Sequence, residues 1–96
     1  METRKVLVNG IPVIIEDDKV YIGDMPQLIV DIKTQENYIR HEDGIMSYYR
    51  EIALSRDLLE GKRENVMETA VTLYYTQACQ VVEGMKIAEA YRNKNS

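Results

Sequence analysis

The chain has 96 residues, of which 45% are hydrophobic and 29% charged. This length and composition suit one globular domain spanning residues 1–96 and exclude an intrinsically disordered chain. The formal net charge of −4 argues against a broad nucleic-acid-binding surface, because such surfaces neutralise many phosphates with Lys and Arg. The lone Cys79 cannot form an internal disulfide, and no apolar run approaches the ~20 residues of a membrane span. These features predict a cytoplasmic protein.

The first third of the sequence predicts short β-strands joined by turns. Asn9-Gly10 separates two β-rich runs and is the strongest short-range signal for a tight hairpin. Breaks at Asp17-Asp18 and at 23–26 delimit a third strand over 19–22. Apolar and polar residues then alternate with period two over 28–33, which predicts a fourth strand with one buried face.

Residues 34–43 allow two interpretations. Thr34 is able to cap a short helix, whereas 37–41 would form a fifth strand after a polar turn. Gly44 would limit such a helix to about two turns, which is shorter than is usually stable without strong packing. The strand is therefore the favoured interpretation.

The pattern becomes helical after this point, which predicts a first helix over 44–61. Asp43 would be its N-cap, and Gly61 followed by two basic residues is typical of a helix C-terminus. The apolar residues that would share one side are Ile45, Tyr49, Ile52, Ala53 and Leu59.

A second and much longer helix is predicted over about 65–92. Asn65 and Glu68 form a variant of the capping box at its start. Apolar residues then recur at alternating intervals of four and three, which is the seam pattern of a coiled coil or bundle helix. The stripe comprises Met67, Val71, Tyr74, Ala78, Val81, Met85 and Ala88.

This helix is expected to be covered by other protein. Every residue from Thr69 to Val82 is uncharged, whereas an ordinary surface helix carries a charged face. At 1.5 Å per residue the helix would be ~40 Å long, more than a small sheet and a shorter helix can cover. The sequence thus predicts a homodimer or a stable complex with a protein partner, with the stripe and Tyr75 at the interface.

Residues suited to catalysis or metal binding are few. The only histidine, His41, lacks the further His or Cys residues that a metal site requires. Acidic residues cluster in predicted turns, and Ser47 and Ser55 lie on a predicted helix without a nucleophile turn. The five glycines are too scattered for a phosphate loop. We expect no enzyme activity, no metal and no cofactor.

The predicted fold class is therefore α+β: an N-terminal antiparallel sheet of three to five strands followed by two helices, the last one long. The preferred function is a small, non-catalytic, cytosolic binding or regulatory protein that acts through an oligomeric helical interface. One alternative is a dimeric nucleic-acid-binding regulator that uses Arg4-Lys5 on the N-terminal hairpin, with Lys62-Arg63 as a second basic group. Another is a ligand-binding or accessory enzyme subunit with a Tyr- and Met-lined pocket. Tyr48 and Tyr75 are candidate contact residues, unless they pack within the same fold.

Overall fold

The computed structural model describes residues 3–54 and 64–94. Within these ranges the chain forms one antiparallel sheet with strand order β1-β2-β3-β4-β5-β6, followed by one long helix. The predicted α+β class is confirmed, with six strands in place of three to five. The elements are β1 (Thr3–Val8), β2 (Ile11–Glu16), β3 (Lys19–Gly23), β4 (Gln27–Asp31), β5 (Asn37–His41), β6 (Gly44–Tyr48) and α1 (Glu64–Lys94).

The tight turns follow the local chemistry of the sequence. Asn9 and Gly10 join β1 to β2 with φ angles of 51° and 78°, which matches the left-handed conformation that a two-residue hairpin requires. Asp17 adopts φ 51° in the β2–β3 turn. The favoured strand over 37–41 is confirmed as β5, which pairs with β4.

The predicted helix over 44–61 is wrong at its start, because 44–48 form β6. Residues 49–54 have no regular secondary structure, and the rest of that prediction lies outside the described residues. Strand β6 pairs with β5 in an antiparallel hairpin and takes its place as the edge of the sheet. Asp43 is accordingly a turn residue of this hairpin and not a helix N-cap.

The hydrophobic core lies between one face of the sheet and α1. The strand register aligns Val13, Ile22, Leu28 and Ile39 in a row across four strands, and all four side chains are buried. Full burial of each such side chain contributes roughly 1.5–3 kcal/mol to folding. From the other side the core receives Leu54 and four helix residues: Met67, Val71, Ala78 and Val82.

Helix α1 runs across the strands along the end of the sheet that carries the β1–β2, β3–β4 and β5–β6 turns. Asn9 Nδ2 donates a hydrogen bond to Thr72 Oγ1 (3.0 Å), and Lys86 Nζ lies 4.0 Å from Glu42 Oε1. The helix has 31 residues and is ~46 Å long, whereas six strands span only ~24 Å. Residues 86–94 are consequently exposed.

Candidate interaction surface on the long helix

One side of α1 is accounted for by the chain's own sheet. We call Met67, Val71, Ala78 and Val82 the sheet-facing stripe, because all four are buried in the core. Of the eight residues predicted at an intermolecular interface, Met67, Val71 and Ala78 belong to this stripe. Tyr74, Tyr75 and Val81 pack against the core, Met85 is half-buried, and Ala88 is exposed. Their contact with a second chain stays a prediction.

Tyr75 fixes the helix to the β3–β4 turn. Its hydroxyl donates a hydrogen bond to the Pro26 carbonyl oxygen (2.8 Å). The ring covers Gly23, where a Cβ atom would collide with it. Burial raises the pKa of Tyr75 to about 12, and the adjacent Cys79 adds to this increase. The hydroxyl therefore stays protonated and able to donate well above neutral pH.

Tyr74 fixes the segment that follows β6. Its hydroxyl oxygen accepts a hydrogen bond from the Ala53 backbone amide (3.1 Å). The Arg50 guanidinium lies 5.7 Å from the centre of the Tyr74 ring, within the range of a cation–π contact. Tyr74 and Tyr75 thus hold other parts of the same chain.

A different side of α1 is exposed, and we call it the outer stripe. Leu73 and Ile87 are 48% and 63% exposed, and Val66 and Tyr91 are exposed as well. Single exposed apolar residues are common, whereas an aligned series along one helix is typical of a contact surface. The outer stripe comprises Val66, Ala70, Leu73, Gln77, Gln80, Gly84, Ile87 and Tyr91. Ala70 and Gln77 lie at its border with the sheet side: both are half-buried, and Ala70 also packs against the core.

The outer stripe contains no charged residue over its whole length. The exposed face of the sheet offers a contrast, because its partly buried row of Ile14, Tyr21 and Ile29 has charged neighbours. The adjacent row on this face is charged: Lys19 lies between its two cross-strand partners, Glu16 and Asp31. A solvated sheet face with cross-strand charges is an ordinary protein surface. The outer stripe has no such charges, and exposed charged residues of α1 such as Glu83 and Lys86 lie outside it.

Gln77 lies in the middle of the outer stripe and carries an unsatisfied polar atom. Its side-chain Oε1 is buried and has no hydrogen-bond partner among the described residues. Buried polar atoms in folded proteins almost always have a partner, because burial without one costs ~1–3 kcal/mol. Gln80, one turn further along, is exposed. Because the chain's own atoms cover that oxygen, the exposed polar side chain at the centre of the stripe is Gln80.

The other sequence-predicted residues have local structural roles. His41 Nδ1 accepts a hydrogen bond from the Asp43 amide (3.3 Å) and closes the β5–β6 turn. Tyr48 packs against the core whereas Tyr49 is 95% exposed, the reverse of the arrangement predicted for a helix. Lys62 and Arg63 lie outside the described residues.

The two basic residues of β1 do not form one patch. Arg4 and Lys5 are both exposed, but consecutive strand residues point to opposite faces of the sheet. Cys79 is a half-buried free thiol on α1 rather than a fully buried one.

Sequence inspection missed the outer stripe because half of its positions are Gln, Gly or Ala rather than large apolar residues. Val66, Leu73 and Ile87 do share a seven-residue spacing, with Gln80 at the intervening position. That spacing was the available signal. It was hidden by the more apolar sheet-facing stripe, which fits the same period.

The described parts of the chain contain no group of three His, Cys, Asp or Glu side chains arranged to hold a metal ion. Over the same ranges, no helix is both long and apolar enough to cross a membrane. Comparison of the sequence with protein-family models and curated proteins, and of the fold with solved structures, gives no significant match.

Proposed function

We propose that the chain is a small, non-catalytic binding or regulatory protein that acts through protein–protein contacts of the outer stripe of α1. The observation that carries this proposal is that the outer stripe contains no charged residue and exposes four large apolar side chains: Val66, Leu73, Ile87 and Tyr91. Association that removes such a surface from water is favourable by about 25 cal/mol for each Å² of apolar area buried.

The way the fold holds α1 supports the same function. The sheet, Tyr74 and Tyr75 fix one side of the helix, so the outer stripe on its other side is a pre-formed, rigid surface. A pre-formed surface binds with a smaller loss of conformational entropy than a flexible one. An amphipathic helix with apolar residues at intervals of three and four is a common element of protein recognition.

Site-specific photo-crosslinking in the native host tests this proposal. A photoreactive amino acid at Gln80 probes the outer stripe, and one at exposed Lys33, in the β4–β5 connection, is the matched control. We expect protein adducts from position 80 that disappear when Leu73→Glu is added, and none from position 33. Equal yields from the two positions would show that the outer stripe is not a binding surface.

A further inference from the structure

The outer stripe repeats every seven residues over nearly four heptads. Val66, Leu73, Gln80 and Ile87 occupy one position of the heptad. Ala70, Gln77, Gly84 and Tyr91 follow each of them by four residues. Alternating intervals of four and three form the seam of a two-helix coiled coil. The stripe is therefore shaped to receive another helix of similar length.

We infer that this helix is α1 of a second copy of the chain, packed antiparallel about a two-fold axis that crosses the contact at the level of residues 78–79. The inference rests on the proposed function and names its partner. In such an arrangement the same surface is used twice, so each facing pair occurs twice. Pairing about the midpoint of the stripe brings Val66 against Tyr91, Ala70 against Ile87, Leu73 against Gly84, and Gln77 against Gln80.

These pairs are complementary in size. Ile87 meets Ala70 and Leu73 meets Gly84, and each pair occurs twice, so in four layers a large side chain faces a small residue. An added Cβ at Gly84 would meet no atom within 4 Å in one copy, which leaves room there for the partner's Leu73. A parallel arrangement would instead place Gly84 against Gly84 and leave a gap, and gaps between packed helices are destabilising.

The polar centre is compatible with this orientation. Gln77 faces the partner's Gln80 there, and each side-chain amide carries both donors and an acceptor, so the two side chains can share a hydrogen bond. Two-fold symmetry gives two such pairs. Polar residues at the centre of an apolar seam restrict its register and the number of helices.

The charges along α1 also favour the antiparallel arrangement. Residues 64–78 contain two acids and no base, whereas 79–94 contain three bases and two acids. Antiparallel packing sets the acidic half of one helix beside the more basic half of the other. It also aligns the helix dipoles in opposite directions. A parallel pair would place the two acidic halves side by side.

Light scattering on the purified full chain, combined with matched substitutions, tests the self-association. We expect a mass twice the 11.1 kDa of one chain. Leu73→Glu and Ile87→Glu should each reduce it to that of one chain. Leu7→Glu and Ile45→Glu introduce the same change at positions that are 75% and 64% exposed on the sheet, and they should leave the mass doubled.

Disulfide trapping tests the orientation in a Cys79→Ser background. Mixing a Leu73→Cys chain with a Gly84→Cys chain should give a covalent pair, whereas Leu73→Cys alone should give none. Efficient trapping by Leu73→Cys alone would overturn the inference, because it indicates parallel packing.

The remaining outcomes separate this inference from the proposed function. A wild-type mass of one chain overturns the self-pairing. A doubled mass in both the Leu73→Glu and the Ile87→Glu variant also overturns it, provided that circular dichroism shows these variants to be folded. If the wild type is a single chain and position 80 crosslinks to a different protein, the proposed function stands without the self-pairing. If position 80 gives no adduct either, both are wrong.

Discussion

The Tyr75 hydroxyl donates a 2.8 Å hydrogen bond to the carbonyl oxygen of Pro26, and so joins the middle of α1 to the β3–β4 turn. The two residues are 49 positions apart in the chain. A contact between such distant segments forms only when the sheet and the helix are both in place. It therefore reports on the docking of α1, which orients the outer stripe.

Tyr75→Phe should destabilise the protein by about 1 kcal/mol near neutral pH, the usual net contribution of one hydrogen bond. The substitution keeps the ring over Gly23 and removes only the donor. Urea denaturation monitored by circular dichroism measures the difference. An unchanged free energy of unfolding would show that the bond does not hold the helix.

The same substitution should alter the alkaline pH dependence of stability. The pKa of Tyr75 is about 12 in the folded chain and about 10 when unfolded. Between these values the unfolded chain loses the proton first, so the free energy of unfolding of the wild type falls as pH rises from about 10 to about 12. Tyr75→Phe lacks this loss, whereas the other tyrosines affect both proteins alike. Denaturation at pH 9 and pH 11 should therefore show a smaller decrease for Tyr75→Phe.

Gly23→Ala should destabilise the protein more than Gly10→Ala does. Both glycines have positive φ, so both substitutions incur ~1–2 kcal/mol of backbone strain. At Gly23 the new methyl group also collides with the Tyr75 ring, whereas at Gly10 no atom lies within 4 Å. Displacing the ring adds roughly 1–3 kcal/mol. Thermal denaturation of the two variants side by side gives this difference directly.

A double substitution separates the collision from the strain. Tyr75→Ala removes the ring, so adding Gly23→Ala to it should lower stability by the backbone strain alone. An equal effect of Gly23→Ala in the presence and absence of the ring would argue against close packing at this point.

Asp31 should titrate below its ordinary pKa of 3.8 in the folded protein. Its Oδ1 accepts hydrogen bonds from the backbone amides of Thr34 and Lys33, both at 3.1 Å, and the bond from Thr34 is the main cause of the lowered pKa. Lys19 adds a smaller attraction. The stabilisation is present above the unfolded pKa and is lost as pH falls through the folded value. NMR titration of the carboxyl carbon measures the shift.

Asp31→Asn provides the corresponding stability comparison. The variant should lose less stability than the wild type between pH 5 and pH 2, because it has no carboxylate to protonate at this turn. Parallel acid-denaturation curves for the two proteins would contradict the assignment of this hydrogen-bonded turn as a source of acid sensitivity.

The sequence predicted those parts of the fold whose signals are local. A tight two-residue hairpin requires positive φ at both turn residues, and Asn9 and Gly10 adopt it readily, so this dipeptide between two β-rich runs predicts the hairpin. The long helix, predicted over about 65–92, extends over Glu64–Lys94, because an uninterrupted apolar period with a capping residue leaves little alternative. These signals do not depend on the rest of the chain.

Strand β6 was missed because its apolar residues also fit a helix. Ile45, Tyr49 and Ile52 follow a helical period, although 44–48 pair with β5 across a two-residue turn. Asp43-Gly44 was the usable signal, since this dipeptide is also typical of hairpins. The sequence could not settle what covers each side of α1 either. Periodicity identifies an apolar stripe but does not tell whether the chain's own sheet or another protein covers it.

Two alanines of the same predicted stripe test how α1 is covered. Ala78 is completely buried between helix and sheet, whereas Ala88 lies beyond the sheet and is exposed. Ala78→Leu should destabilise the fold by about 1–3 kcal/mol, because three extra carbon atoms must enter a packed layer. Ala88→Leu should change stability by less than about 0.5 kcal/mol. Urea denaturation at low protein concentration isolates the effect on the single chain. Equal effects of the two substitutions would mean that the sheet does not cover the helix at Ala78, and the assignment of the opposite side as the contact surface would then lose its basis.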